Sequence, residues 1–143
     1  MKILVTGAAG QLGHDVMDEL KKRGHEGIGV DVQEMDITDA EKVRQVITAA
    51  DVDAVIHCAA YTAVDAAEDN AELCRKINAD GTEHIARVCR DLDLKMMYIS
   101  TDYVFDGTGT RAWEPDDERH PLNAYGMSKY EGELAVTGHV KKF

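Results

Sequence analysis

The sequence predicts an α/β protein built on a doubly wound parallel sheet. Short apolar runs alternate with segments of helical periodicity along the chain, which is the pattern of parallel strands joined by crossover helices. A glycine-rich loop, Gly7–Gly13, lies between the first apolar run and the first helical segment, where such folds bind nucleotides. With 143 residues, the chain has the length of one domain.

Five apolar runs have the length and composition of β-strands. The second contains Gly27 and Gly29, which weaken it because glycine has no side chain to pack. The third is very short. In chain order, the predicted strands are Lys2–Thr6, Glu26–Val30, Glu34–Asp36, Asp53–Cys58 and Lys95–Ser100.

Four segments place apolar residues at helical spacing. The second is expected to open with a capping box, in which the Thr38 side chain caps the helix and Glu41 bonds back to it. The predicted helices are Gly10–Arg23, Thr38–Ala50, Ala71–Leu92 and Asn123–His139. Between the last two, the long segment Asp102–Leu122 is expected to be a functional loop. The fold is therefore expected to be truncated after the fifth strand and the helix that follows it.

Composition and charge exclude several classes of function. The formal net charge is −11, so a nucleic acid is not an expected partner, because its phosphates would be repelled. No stretch approaches the ~20 apolar residues of a membrane span, and the first residues lack the apolar core of a signal peptide. We therefore expect a cytoplasmic protein without a membrane partner. The three cysteines and six histidines are too scattered to predict a disulfide framework or a metal site.

The glycine loop has the spacing of a dinucleotide-binding turn. Gly7 permits a tight turn after the first strand, Gly10 lets a pyrophosphate approach the backbone, and Gly13 lets the helix lie close to the sheet. Backbone N–H groups at the helix N-terminus can hold a pyrophosphate whatever the net charge of the protein. The loop therefore predicts a Rossmann-like dinucleotide site.

An acidic residue follows the second strand at the position that contacts the adenosine ribose in such sites. Asp31 lies 18 residues after Gly13. Its carboxylate can accept hydrogen bonds from the ribose hydroxyls and would repel a 2′-phosphate. We therefore expect NADH to be preferred, with NADPH possible.

A tyrosine and a lysine four residues apart, Tyr125 and Lys129, share one face of the last predicted helix. A nearby ammonium is expected to lower the tyrosine pKa and so to tune a general acid for a carbonyl under reduction. Thr101, 24 residues before Tyr125, follows the fifth predicted strand and can donate a hydrogen bond to the same carbonyl. These three residues form the candidate catalytic set.

Longer motifs make the resemblance to a family specific. The spacing of Gly7, Gly10 and Gly13 resembles that of the glycine motif in the extended short-chain dehydrogenase/reductase superfamily, whose members act on nucleotide sugars. The segments Ala59–Asp65, Ser100–Gly107 and Tyr125–Glu133 resemble the dTDP-4-dehydrorhamnose reductase family in order and without large gaps.

The resemblance implies an activity and a role for each motif residue. It implies NADH- or NADPH-dependent reduction of the C4 ketone of a dTDP-linked 6-deoxy sugar, dTDP-4-dehydrorhamnose, to dTDP-L-rhamnose, with Thr101, Tyr125 and Lys129 as the catalytic residues. The implied cofactor contacts are Gly10, Gln11 and Leu12 to the pyrophosphate, Asp31 to the ribose, Asp36 and Ile37 beside the adenine, and Ala60, Tyr61 and Thr62 along the cofactor. The nucleotide sugar would contact Thr101 and Asp102.

Members of that family continue for about as many residues again. We therefore expect residues 1–143 to be the dinucleotide-binding domain, with the C-terminal substrate domain absent and this chain inactive alone. The resemblance also makes a homodimer through the last two helices possible.

Three alternatives stay open at this point. A nucleotide-sugar 4,6-dehydratase would carry an acidic residue where this chain has Tyr103, and a 4-epimerase would carry a hydroxyl-rich segment around Ser100. A non-catalytic dinucleotide-binding subunit, similar to the regulatory subunit of methionine adenosyltransferase, would bind the dinucleotide without turnover. Substrate-dependent NADH oxidation separates that subunit from an enzyme.

Overall fold

The computed structural model describes residues 1–143 and contains one parallel sheet of four strands in the order β2-β1-β3-β4. The strands are β1 (Lys2–Thr6), β2 (Glu26–Val30), β3 (Ala54–His57) and β4 (Lys95–Tyr98). The α-helices are α1 (Gln11–Lys22), α2 (Ala40–Ala50), α3 (Val64–Asp69), α4 (Ala71–Arg75), α5 (Gly81–Asp91) and α6 (Ala124–His139). A π-helical segment, Lys76–Asp80, joins α4 to α5, and a 3₁₀ turn covers Asp102–Val104.

The helices cover both faces of the sheet, as a doubly wound fold requires. Alternation along β1 sends Leu4 to one face and its neighbours Ile3 and Val5 to the other. The larger core cluster lies on the Leu4 face, where α2, α5 and α6 pack, and the smaller cluster lies under α1. The predicted α/β class with a Rossmann-like parallel sheet is therefore confirmed.

The predicted short strand Glu34–Asp36 is wrong, so the sheet has four strands and not five. The backbone there forms a turn, in which the Asp31 carbonyl accepts hydrogen bonds from the N–H groups of Glu34 and Met35 at 3.1 and 2.8 Å. The Met35 side chain is only 1% exposed because it packs into the larger core cluster. The apolar Met35 therefore anchors a turn to the core and does not mark a strand. The strand predicted as the fifth corresponds to β4.

The N-terminal cap of α2 lies one residue later than the capping box predicts. Asp39 caps the helix by accepting hydrogen bonds from the N–H groups of Glu41 and Lys42, both at 3.0 Å. The Thr38 hydroxyl instead donates to the Asp36 carboxylate at 2.8 Å. Both residues are good caps, and the turn before the helix decides between them.

The long helix predicted over Ala71–Leu92 is interrupted by the π segment between α4 and α5, and the separate helix α3 before it was not predicted. A π segment widens one turn of the helix and is frequent at functional sites. Here it contains the buried residue Asn78. None of the helices is both long and apolar enough to cross a membrane.

Candidate active site

Two cavities lie at the carboxyl ends of the strands, where β1 and β3 lead the chain in opposite directions across the sheet. Their volumes are about 620 and 450 Å³. Gly7, Gly10, Cys58 and Ala60 line both, so the cavities adjoin across the glycine loop. Ligands of open α/β sheets bind at this kind of switch point.

The glycine loop is shaped to leave backbone N–H groups free at the start of α1. Gly7 has a φ of +66°, and a Cβ there would lie 2.8 Å from the backbone of Ala59. A Cβ on Gly13 would collide with the carbonyl oxygen of Gly7, so only glycine lets the helix approach the loop. Gly10, the N-cap residue, supplies no side-chain acceptor to the first turn. The open N–H groups of that turn fit an anionic pyrophosphate.

The larger cavity carries the residues predicted to contact adenosine. The Asp31 carboxylate accepts hydrogen bonds from the N–H groups of Ala9 at 3.1 Å and Val32 at 2.8 Å, which fixes it at the cavity wall. Asp36 accepts from the N–H and hydroxyl of Thr38, and these bonds lower the pKa of its carboxyl group. Ile37 lines the same wall. The three predicted adenosine contacts therefore share one cavity.

The smaller cavity carries Tyr125 and Lys129 on α6, opposite Gln11 and Leu12 of α1. The Lys129 ammonium donates a hydrogen bond to the Ile99 carbonyl at 2.6 Å and lies 4.1 Å from the centre of the Tyr98 ring. Burial lowers the pKa of Lys129 to about 8. The ammonium is thus held at the cavity wall and remains mostly protonated at neutral pH.

The expected lowering of the Tyr125 pKa is wrong for this structure. The side chain is 9% exposed, and burial raises the pKa of its hydroxyl above the ordinary value, with the nearby Thr101 side chain opposing the shift only in part. The Lys129 ammonium bonds to the Ile99 carbonyl, and burial of the phenol dominates. Tyr125 is therefore protonated at neutral pH, as a proton donor must be.

The structure brings most, but not all, of the predicted site residues to the cavities. Thr101, Asp102 and Tyr61 line neither of them. The Thr101 hydroxyl donates to the Asp102 carboxylate at 3.2 Å and accepts from the N–H of Tyr103 at 3.3 Å, so it caps the 3₁₀ turn next to Tyr125. The other predicted residues line the larger cavity, the smaller one or both; they are Gly7, Gly10, Gln11, Leu12, Gly13, Asp31, Asp36, Ile37, Ala60, Thr62, Tyr125 and Lys129.

A buried polar chain behind the site was not predicted. The Thr82 hydroxyl donates to the Asn78 carbonyl at 2.6 Å, so it must accept from Nε2 of His57, 3.0 Å away. Nδ1 of His57 then accepts from the Thr6 hydroxyl at 2.7 Å, and the Thr6 oxygen accepts from the N–H of Ala59 at 3.1 Å. Burial lowers the pKa of His57 to about 3 and keeps the ring neutral. The chain ties the end of β1 to the π segment.

Asn78 continues this chain to the helix that carries Tyr125. Its carboxamide accepts from the Tyr61 N–H at 2.7 Å and donates to the Tyr61 carbonyl at 3.0 Å. It also donates to the Ser128 hydroxyl at 3.0 Å, which donates to the Tyr125 carbonyl at 2.7 Å. Polar residues inside apolar patterns, such as His57 in β3 and Asn78 in a helical segment, were the available signal, but the sequence did not reveal their partners.

The fold and the site together define a Rossmann-like α/β protein of the extended short-chain dehydrogenase/reductase class. Within that class, the chain belongs to the family described as the RmlD substrate binding domain, whose model matches residues 1–143.

Sequence relatives and solved structures support this membership. The chain is 40% identical over 139 residues to the dTDP-4-dehydrorhamnose reductase of Mycobacterium tuberculosis, an alignment that covers 94% of this chain and 45% of the relative. A crystal structure of a dTDP-4-dehydrorhamnose reductase from Clostridium acetobutylicum superposes with a TM-score of 0.96 at 42% identity, covering 99% of this chain and 51% of that one. The crystal structure of the dTDP-4-dehydrorhamnose reductase from Bacillus anthracis, solved in complex with NADP, superposes with a TM-score of 0.95 at 39% identity and with the same coverage. The chain thus spans about half the length of the relatives it matches.

Proposed function

We propose that residues 1–143 form the dinucleotide-binding domain of a cytoplasmic, nicotinamide-dependent reductase that converts dTDP-4-dehydrorhamnose to dTDP-L-rhamnose. The observation that carries the proposal is the pair of adjoining cavities, with Asp31 in one, Tyr125 and Lys129 in the other, and the glycine loop between them. The names of the similar reductases and the NADP bound to one of them support the same substrate and cofactor class.

The residues fit a reduction in which the protein handles the proton. When bound, the reduced nicotinamide supplies the hydride to the C4 carbonyl carbon. The Tyr125 hydroxyl donates its proton to the carbonyl oxygen, and its raised pKa keeps that proton available at neutral pH. Thr101, beside Tyr125, donates a hydrogen bond to the same oxygen once its hydroxyl turns away from the Asp102 carboxylate, and Asp102 contacts the sugar. The Lys129 ammonium, positioned by the Ile99 carbonyl, holds the nicotinamide ribose.

A reductase assay tests the activity. The complete gene product should oxidise NADH or NADPH only when dTDP-4-dehydrorhamnose is added, and the product should be dTDP-L-rhamnose by chromatography. Dinucleotide binding without substrate-dependent oxidation would overturn the reductase proposal and favour a non-catalytic binding subunit.

The preference for NADH belongs to the proposal and depends on Asp31. Its carboxylate lies in the wall of the larger cavity, where a 2′-phosphate would meet like-charge repulsion. Titration should give a lower Kd for NADH than for NADPH, and Asp31→Asn should narrow the difference. Asp18→Asn, at an exposed position of α1, serves as the charge-matched control. Equal affinities in the unaltered protein would contradict the preference.

Pairing of two copies through α4 and α6 is also part of the proposal. Leu73 of α4, which also lines the larger cavity, and Met127 and Leu134 of α6 are large apolar side chains about half exposed, at 48%, 45% and 52%. Sedimentation of the complete gene product should show a dimer, and Leu134→Glu should shift it towards the monomer. A monomeric unaltered protein would exclude this pairing.

A further inference from the structure

Glu133, one helical turn after Lys129 on α6, joins three segments of the chain around the proposed site. Its Oε1 atom accepts a hydrogen bond from the Ser100 hydroxyl at 2.6 Å. Its Oε2 atom accepts from Nε of Arg119 at 3.1 Å. Ser100 directly precedes Thr101, so one carboxylate connects the strand end that leads to Thr101 with the helix that carries Tyr125 and Lys129.

Arg119 extends this connection into the Asp102–Leu122 segment. Its guanidinium also donates to the carbonyls of Pro115 at 2.6 Å and Asp117 at 2.8 Å. It lies 5.5 Å from the centre of the Phe105 ring, which stacks on Trp113 with centroids 4.8 Å apart. The side chains of Arg119 and Glu133 are 26% and 19% exposed, so solvent screens this ion pair less than a pair on the open surface. Through Arg119, Glu133 therefore anchors the segment between Thr101 and Tyr125 near the end that leads to Tyr125.

The Glu133 carboxylate also acts on Lys129 through charge. Burial is the main effect on the Lys129 ammonium and lowers its pKa, and the Glu133 charge opposes that shift. The other groups near the ammonium are the thiols of Cys58 and Cys74, the Tyr98 ring, and Tyr125 and Asp15, which line the same cavity. The neutral imidazole of His57 lies behind it on β3. Among these neighbours, Glu133 is the carboxylate whose charge opposes the lowering of the Lys129 pKa.

We propose that Glu133 is a positioning residue of the reductase site. It holds the residues after β4 that lead to Thr101, and the segment that contains Arg119, in place relative to Tyr125 and Lys129. The inference rests on the proposed function, because the positioned residues are those of the proposed reduction. Glu133 itself lines neither of the two cavities of the candidate site, so it acts through Ser100, Arg119 and Lys129 and not on the substrate.

Two substitutions separate the geometric role of Glu133 from its charge. Glu133→Ala removes both hydrogen bonds, and we expect kcat to fall by about 10- to 100-fold, the range of a small misplacement of reacting groups, while the Kd for NADH changes less than about threefold. Glu133→Gln keeps the shape and one acceptor but removes the charge. The Lys129 pKa should then fall further, so the loss of activity at high pH should begin at a lower pH than in the unaltered protein. Glu118→Gln, at an exposed position of the same segment, is the matched control and should change neither quantity.

A double-mutant cycle tests the connection to the strand end. Ser100→Ala should lower kcat less than Glu133→Ala, and the double variant should be no slower than Glu133→Ala alone, because the two residues act through one contact. The inference is overturned if both Glu133 variants match an active unaltered protein in kcat and in the high-pH limb of the pH–activity profile, where activity falls. If Glu133→Ala does not fold, the high-pH limb of Glu133→Gln decides alone. An unaltered protein without turnover refutes the proposed function instead, and the positioning role with it.

Discussion

At the scale of single residues, the hydroxyl of Tyr125 should be the proton donor of the reaction. Tyr125→Phe keeps the packing of the ring and removes only that hydroxyl, so kcat in the complete gene product should fall by about 100-fold or more, as expected for a lost general acid. The Kd for NADH should change little. Lys129→Met should impair both turnover and NADH binding, because the lysine is also proposed to hold the ribose. Near-normal turnover of Tyr125→Phe would remove Tyr125 from the mechanism.

The buried His57 ring should make the protein sensitive to acid. Its pKa is about 3 in the folded protein and about 6.5 when unfolded, so the unfolded state takes up the proton first as the pH falls below 6.5. Its contribution to stability is complete above pH 6.5 and should be lost at about 1.4 kcal/mol per pH unit down to about pH 3. Chemical unfolding between pH 7 and 4.5 measures this slope.

The control for His57 uses two glutamine variants. His57→Gln should flatten the acid dependence of the unfolding free energy, whereas His14→Gln, at an exposed position of α1, should leave it unchanged. An unaltered slope in His57→Gln would assign the acid sensitivity to other groups.

At the scale of secondary-structure elements, the π segment should owe its stability to Asn78. Asn78→Ala leaves the N–H and carbonyl of Tyr61 without their partners in a partly buried region, and each unsatisfied group costs up to about 1–3 kcal/mol. The unfolding free energy should therefore drop by about 2–5 kcal/mol. Asn70→Ala, which loses one exposed bond to the Ala66 carbonyl, should cost less than about 1 kcal/mol. Similar losses in the two variants would contradict this assignment.

The elements also show where pattern reasoning succeeds. Asn123 was predicted as the start of the last helix, and it caps α6 through a 2.7 Å bond from the Gly126 N–H. A hydrogen bond between residues close in the chain determines such a helix boundary. The Ala71–Leu92 region keeps helical periodicity through its π segment, because one widened turn barely disturbs the apolar spacing. The bond that holds the wide turn, from Asn78 to Tyr61, spans 17 residues and has no local signature.

At the scale of the whole molecule, the 143-residue polypeptide should bind NADH but show no reductase turnover. The glycine loop, Asp31 and Lys129 all lie within it, whereas its relatives are about twice as long. Contacts to the nucleotide part of a substrate raise turnover as well as affinity, so their loss should abolish detectable catalysis. Isothermal titration and a reductase assay on one sample measure both quantities. Substantial turnover would show that these 143 residues contain the complete site.

A pair of glycine variants controls the binding measurement. Gly7→Ala should abolish NADH binding, because its Cβ would meet the Ala59 backbone. Gly24→Ala should preserve binding, because Gly24 has a similar positive φ of +73° but open space around it. Loss of binding in both would indicate a general effect of backbone strain and not a specific close approach in the loop.

Local patterns in the sequence determined the α/β class, most element boundaries and part of the site, namely the glycine loop, Asp31, Tyr125 and Lys129. Glycine spacing, caps and apolar periodicity act over a few residues and can be recognised from neighbours in the chain. Only the tertiary structure decided the strand count, the raised pKa of Tyr125, the His57–Asn78 chain and the bridge from Glu133 to Ser100 and Arg119. Each of these depends on burial or on a partner distant in sequence, and both arise only when the helices pack against the sheet.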